Sequence, residues 1–515
     1  MSDSQQAAAH GGFRMWQFVG LVLGPVLAIA LMLFADLNPA NPAMTRMAAV
    51  AVLMAVWWIT DAIPLAATSL LPVVLFPLCG IMNADDVAPF FINDTIFLFI
   101  GGFLLAIAME HWDLHRRIAL VTLKGFGVKP SHILLGFMVA TAGLSMWISN
   151  TATAMMMLPI AVAVLGSLEE RSGREACAGF EASLLLGIAY AASIGGIATL
   201  VGTPPNLVLV RVHDQTFPDA PEIGFAPWML FALPVCALLL GVVWLLLRWM
   251  FPDRADAKSL DPEIFRSQHR ALGKMSREEK WVLGLFVLLA ALWLSRATLK
   301  VGGLTIPGWS EFFPDTKAVR DGTVAIAVAL LLFVIPARAG QKSRTLLTGR
   351  ALQELPWTIV LLFGGGFALA AGIEKTGLSG WIGERFQFLA GLHPIIIVLL
   401  VATFITFLTE ITSNTATATV MLPVVAANAI ALGIDPLLLM VPCAMAASYA
   451  FMLPVATPPN AIVFATARLT ISQMARAGLV VNIVAIILTT LAIWFLGPLI
   501  LGIEMSGLPE WAARK

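Results

Sequence analysis

Two apolar stretches of this chain carry the same polar sextet, Ser-Asn-Thr-Ala-Thr-Ala: "SNTATAMMMLP" at 149–159 and "SNTATATVMLP" at 413–423. Ser145, Ser149 and Asn150 offer side-chain oxygens around the first, and Thr409, Ser413 and Asn414 around the second. Spacing of four residues puts Ser145 and Ser149 on one helical face, and likewise Thr409 and Ser413. An all-oxygen set without a carboxylate suits a monovalent hard cation better than a transition metal, which would want imidazole or thiolate. Two Thr-Pro-Pro-Asn stretches, 203–206 and 457–460, supply the other half of such a site. Proline has no N–H, so Pro204 and Pro205 break their helix and free the carbonyls of Leu200 and Val201; Pro458 and Pro459 do the same for Pro454 and Val455. Orphan carbonyls are costly in hydrocarbon, and a desolvated cation would satisfy them. The sextets also begin new half-helices, whose N–H groups and positive dipole ends attract anions. Neither motif contains Lys or Arg. An anion there would be held by hydroxyls, amides, helix ends and the cations themselves, so that anion binding depends on cation occupancy.

Each of these features has a plainer alternative. One Ser-Asn-Thr in a membrane helix is usually a packing device; two mirrored copies, each followed by a Pro-Pro break, argue for a site. Glu410 and Asp61 are intramembrane or near-interface acids and functional candidates by default, although Asp61, before "AIPL", could equally cap a helix start. His111 and His115 have metal-ligand spacing without an evident third ligand, and beside Arg116 and Arg117 they read as a solvated interface. The glycines of "GGF" (101–103) and "GGGF" (364–367) read as close helix packing; no phosphate-binding pattern follows them.

The elements that position these groups follow from composition. Of 515 residues, 59% are hydrophobic and only 12% charged, against about 25% charged in soluble domains, which makes this an integral membrane protein. Lys plus Arg equal Asp plus Glu at 31 each, so charge suggests no nucleic-acid or acidic partner. Cys79, Cys177, Cys236 and Cys443 show neither metal-ligand nor disulfide spacing. Spans are expected near 16–35, 44–60, 64–80, 91–111, 181–203, 226–250, 281–298, 322–338, 356–373, 436–455 and 477–503, the first read as a true span and not a cleavable signal. The tracts 131–166 and 392–432 differ. As single helices they would exceed about 50 Å, too long for one crossing and right for two half-length arms. A sextet falls near each midpoint and so becomes the tip of a re-entrant hairpin.

Loop charge sets the orientation. The stretches 80–95 and 212–224 hold acids without Lys or Arg, whereas 114–130, 251–280, 337–350 and 467–476 are basic and should be cytoplasmic. The N-terminus is then inside and the C-terminus outside. The sequon-like Asn93-Asp94-Thr95 abuts a span and reads as chance. Further matches extend the repeat. "LFIGGFLLA" (98–106) answers "LLFGGGFALA" (361–370), and "GTPPNLVLV" (202–210) answers "ATPPNAIVF" (456–464). Five spans separate the hairpins, so the second half lies upside down relative to the first, as in secondary transporters. The expected fold is an all-α polytopic membrane protein of about eleven transmembrane helices plus two re-entrant hairpins, arranged as an inverted repeat.

With "SNTATA" twice, "GTPPN", "ATPPN", "TEITSNTAT" and "WWITDAIPL" (57–65), nearly the whole chain resembles the divalent anion/sodium symporter family, which contains sodium-coupled dicarboxylate and citrate transporters. By that resemblance the sextets form hairpin tips. One sodium site would use Ser145, Ser149, Asn150 and the Gly202 carbonyl. The other would use Thr409, Asn414 and the carbonyls of Thr412 and Ala456. Substrate carboxylates would meet Ser149, Asn150, Thr151, Ser413, Asn414, Thr415, Thr457 and Pro458. The family also implies a homodimer in the inner membrane whose transport domains slide, elevator-like, against a scaffold. That gives scaffold at 1–130 and 281–391, transport domain at 131–250 and 392–515, and a cytoplasmic linker at 251–280. Relatives commonly have Glu where this chain has Asp61, which leaves a role there in doubt. The expected function is import of dicarboxylates of the succinate, malate or fumarate type with co-transported sodium. Sodium-independent exchange and sulfate or citrate transport on the same fold are the alternatives. A membrane-embedded enzyme is the weakest reading, since no metalloprotease motif, nucleophile elbow or carboxylate dyad appears.

Overall fold

The computed structural model describes residues 15–127, 129–252, 263–301, 304–316, 318–338, 343–505 and 507–513. Among these, nine helices are long and apolar enough to cross a membrane, accompanied by shorter apolar helices. The described residues are helical apart from one pair of short antiparallel strands, Leu299–Val301 with Leu304–Ile306, and an isolated bridge between Pro336 and Thr345.

Both long tracts are helix–turn–helix units. The first comprises Pro130–Ser145 and Asn150–Ser172, the second Pro394–Thr409 and Asn414–Ala431. Each first arm has 16 residues, about 24 Å of helix and short of the roughly 30 Å of hydrocarbon, so the chain turns inside the membrane. Each turn falls at the Ser-Asn-Thr motif. Five crossing segments lie between the hairpins: the broken helix Arg174–Ile197/Pro204–Thr216, then Phe225–Met250, Arg277–Arg296, Asp321–Val334 and Trp357–Lys375.

Three expected spans are shorter or more broken than the sequence suggests. The span at 64–80 is two pieces, Leu65–Thr68 and Leu71–Leu78. Pro64 and Pro72 interrupt the donor ladder there, and the Ser69 hydroxyl turns back onto the Leu65 carbonyl. The span at 181–203 stops being helical at Ile197, and that at 436–455 at Ala446. The chain then runs without helix through 198–203 and 447–457 before Pro204–Thr216 and Pro458–Phe464 resume. The prolines therefore start second half-helices, where the missing N–H costs nothing, and the break lies before them.

The glycines of the repeated "GGF" motifs are contact points. A Cβ on Gly101 would lie 2.5 Å from the Ala325 Cβ, so helix Asp94–His111 packs closely on Asp321–Val334. Gly364, Gly365 and Gly366 likewise meet Phe91, Ser69 and Thr419. Their packing role stands. On the basic side, Arg117 grips Glu279 with two hydrogen bonds of 3.0 and 3.1 Å. That contact fastens helix Leu114–Gly125 to the start of Arg277–Arg296. Residues 253–262 of the expected linker lie outside the described residues. The four cysteines are free.

Candidate functional site

At the first tip Ser145 is fully buried, and its Oγ lies 2.6 Å from Asn150 Oδ1 and 2.7 Å from the Ala192 carbonyl. Three oxygens share one hydroxyl proton. Such a cluster is rich in lone pairs and short of donors, the chemistry that receives a cation. Gly196 and Gly202 complete its wall. A Cβ at Gly196 would fall 2.7 Å from Asn150 Oδ1 and 3.1 Å from the Gly202 carbonyl oxygen, and one at Gly202 would fall 2.4 Å from the Gly196 carbonyl oxygen. Only glycine admits this approach of backbone to amide. Asn206, 0% exposed, donates its Nδ2 to the Thr199 carbonyl at 2.7 Å and to those of Gly196 and Ile197 at 3.3 Å. The asparagine after the proline pair thus holds the broken segment's carbonyls in place.

The second tip repeats the arrangement. Thr409 Oγ1 lies 2.8 Å from Asn414 Oδ1 and 2.9 Å from the Ala447 carbonyl, again one proton among three oxygens. Asn460 Nδ2 donates to the carbonyls of Ala450 and Leu453 at 3.0 Å. Thr412 is engaged with the Leu408 carbonyl and the Thr417 hydroxyl. One partner has no counterpart in the first half: the Glu410 carboxylate accepts from the backbone N–H groups of Phe451, Met452 and Leu453.

Both tips open into one cavity of about 590 Å³. Its walls include Ser149, Asn150, Thr151 and Gly202 from the first half and Thr412, Ser413, Asn414, Thr415, Ala456, Thr457 and Pro458 from the second. Ser145 and Thr409 sit behind this wall. The residues singled out from the sequence are thus brought together around a single volume. Four helices begin there, at Asn150, Pro204, Asn414 and Pro458. Ser149 accepts from the Ala152 N–H, whereas Ser413 makes no side-chain cap, which leaves the first-turn amides behind it available to a ligand. Behind Thr203 the two prolines carry no N–H, and that of Asn206 is bonded to the Thr203 carbonyl. Among the described lining residues none is Lys, Arg or His. Trp16, Trp58, Thr60, Asp61 and Thr358 form the mouth. By the loop charges these last three would stand at cytoplasmic helix ends.

Several candidates resolve differently. Asp61 caps the end of helix Pro42–Thr60 in the left-handed region (φ 48°), not the start of the next helix. His115 makes a 3.1 Å hydrogen bond with the Met109 carbonyl, and burial lowers its pKa. Among the described residues no three His, Cys, Asp or Glu side chains gather as a metal site. Asn206, Asn460, Thr199 and Asn482 were missed by the sequence reading. The asparagines of the two "PPN" motifs were legible in principle, because an amide directly after a proline break is placed to satisfy the carbonyls the break exposes.

A family model described as "sodium:sulfate symporter transmembrane region" matches residues 15–502. The chain belongs to the sodium:sulfate symporter family. Among its relatives in this family, the sodium-dependent dicarboxylate transporter SdcS of Staphylococcus saprophyticus is 44% identical over 501 residues, 96% of this chain and 94% of that protein. The Staphylococcus aureus protein of the same name, from strain RF122, is 45% identical over 500 residues with the same coverage. Two solved structures share the fold at low identity. Neisseria gonorrhoeae MtrF has a TM-score of 0.54 at 15% identity, covering 94% of this chain and all of that one. Alcanivorax borkumensis YdaH has a TM-score of 0.50 at 14% identity, covering 88% of this chain and 99% of that one. The sodium:sulfate symporter family thus frames the site, and the two distant structures speak to architecture alone.

Proposed function

We propose that this protein is a multi-pass transporter of the inner (plasma) membrane that imports dicarboxylates of the succinate, malate or fumarate type together with sodium. The carrying observation is the pair of proton-poor oxygen clusters, Ser145/Asn150/Ala192 and Thr409/Asn414/Ala447, beside one cavity whose described lining residues include the starts of both second hairpin arms and no cationic side chain. The names of the staphylococcal relatives supply the substrate class and the ion.

On this reading Ser145, Ser149, Asn150 and the Gly202 carbonyl take one sodium ion. Thr409, Asn414 and the carbonyls of Thr412 and Ala456 take the other. The dianion spans the tips, its carboxylates on Ser149, Asn150, Thr151, Ser413, Asn414, Thr415, Thr457 and Pro458. With no Lys or Arg among the described lining residues to neutralise it, the dianion binds only where two sodium ions and the N-terminal ends of the hairpin arms have set a positive potential. The chemistry is binding and release with no bond made or broken, in keeping with relatives that are transporters. The cytoplasm-facing mouth is one end of an alternating-access cycle. In it the hairpins and broken helices (131–250 and 392–515) move as a transport domain against a scaffold (1–130 and 281–391), within a homodimer.

Linkage then requires that sodium tighten dicarboxylate binding and dicarboxylate tighten sodium binding by the same factor. Calorimetric titrations of purified protein with succinate at several sodium concentrations, and with sodium at several succinate concentrations, measure both factors. Equal factors above about tenfold are expected. A succinate affinity indifferent to sodium would favour a sodium-independent exchanger.

A further inference from the structure

The two halves differ at one buried carboxylate. Glu410, 4% exposed, ends the first arm of the second hairpin. Its Oε1 accepts from the N–H groups of Phe451 at 2.8 Å and Met452 at 2.9 Å, and from Asn482 Nδ2 at 2.7 Å; its Oε2 accepts from the Leu453 N–H at 3.2 Å. Four donors from two other elements meet one side chain. The equivalent position in the first half, 264 residues earlier, is Met146. There the contact to the broken segment is neutral: the Thr199 hydroxyl donates to the Met146 carbonyl at 2.5 Å and accepts from the Gly202 N–H at 3.1 Å.

The reason lies in the length of the breaks. The first broken helix stays helical to Ile197, beyond the Ala192 carbonyl that touches Ser145, and is irregular only over 198–203. The second unwinds at once after Ala446, so the Ala447 carbonyl that touches Thr409 already belongs to the irregular stretch 447–457. Consecutive N–H groups in that stretch have no helical acceptor, and leaving them unpaired in a buried setting is costly. A carboxylate, acceptor-only and charged, is the strongest side-chain partner for them. Its neighbours in the chain, Thr409 and Ile411 to Asn414, are the tip itself.

We propose that Glu410 is the positioning residue of the second cation site. It pins segment 447–457 to the second hairpin tip, so that this site depends on a buried charge while the first does not. This rests on the sodium-coupled reading above. Glu410 borders the same cavity, but both its carboxylate oxygens are engaged by backbone N–H groups and Asn482, so on this proposal it acts through the backbone of 447–457 and through Asn482 on helix Ile471–Leu496. The two sites are then inequivalent despite matching motifs, and the second is the one that loses its geometry when the clamp is cut.

The test uses full-length protein in proteoliposomes and compares wild type, Glu410→Gln and Asn482→Ala. Half-saturating sodium and maximal succinate uptake are measured separately, and sodium-dependent thermal stabilisation is measured without substrate. Glu410→Gln should raise half-saturating sodium by about tenfold or more, because an amide presents N–H groups to N–H groups. It should also bring the sodium Hill coefficient towards one, with maximal uptake at saturating sodium within about threefold of wild type. Asn482→Ala removes one of four donors and should move half-saturating sodium the same way by about threefold. If Glu410→Gln does not fold, Asn482→Ala and the thermal titration decide. Unchanged half-saturating sodium in the variants, or lost maximal uptake with unchanged sodium dependence, overturns the proposal. A wild-type protein whose uptake ignores sodium overturns the functional reading itself, a result distinct from variants that match a sodium-dependent wild type.

Discussion

Asn150→Ala and Asn414→Ala should each abolish dicarboxylate uptake and leave a folded protein. Each asparagine sits at the first turn of a hairpin arm with its Oδ1 in the oxygen cluster, 2.6 Å from Ser145 Oγ or 2.8 Å from Thr409 Oγ1. On the proposed reading its amide would serve two ligands at once, the carbonyl oxygen for a cation and the N–H₂ for the anion. Alanine removes both in one step. Each hydrogen bond or ligand contact to a charged partner contributes about 1.5–3 kcal/mol, so losing two corresponds to a fall of at least about 100-fold in uptake at limiting sodium. Folding should survive, because alanine is a good helix former and the arms keep their other contacts. Labelled succinate uptake at limiting sodium, with circular dichroism on the same preparations, checks both halves of the expectation. Near-wild-type uptake by either variant would remove that asparagine from the site.

Transport should also accelerate as the vesicle interior becomes more negative. A dianion entering against about 100 mV, inside negative, climbs roughly 4.6 kcal/mol before any concentration gradient. Two sodium ions cancel that electrical term, leaving only the sodium concentration gradient to drive accumulation. A third makes each cycle carry net positive charge inward, so that the potential assists. The two oxygen clusters would account for two ions, so the expected stoichiometry is at least two and, where the potential assists, three, with the third site unassigned. Uptake into proteoliposomes clamped at a series of potentials reads this directly. Indifference to voltage would set the count at two, and slowing at negative potential would exclude three.

Much of this architecture was legible in the chain because the two halves restate one another. The length of the tracts 131–166 and 392–432 forced a hairpin reading, and the structure turns each tract within the Ser-Asn-Thr motif. What sequence could not supply was the position of the breaks. Pro204 and Pro458 suggested interruption at the prolines, yet each proline opens a helix, and the irregular backbone precedes it for a length that no local residue encodes. The irregular stretches are held by tertiary partners, Thr199 on Met146 in one half and Glu410, braced by Asn482, on 451–453 in the other. These partners are far apart in sequence, and so invisible to spacing arguments. Asp61 shows the same limit. Its acidic side chain suggested an N-cap, but helix Pro42–Thr60 ends on it in a left-handed turn. The span at 64–80 failed for a local reason that was present in the chain, the prolines at 64 and 72.

The most direct test of sodium-coupled dicarboxylate import is uptake of labelled succinate by the purified protein in proteoliposomes, with and without an inward sodium gradient. Accumulation above the external concentration should occur with the gradient, and collapse when sodium is equal on both sides or replaced by choline. Equal uptake under all three conditions would contradict the account.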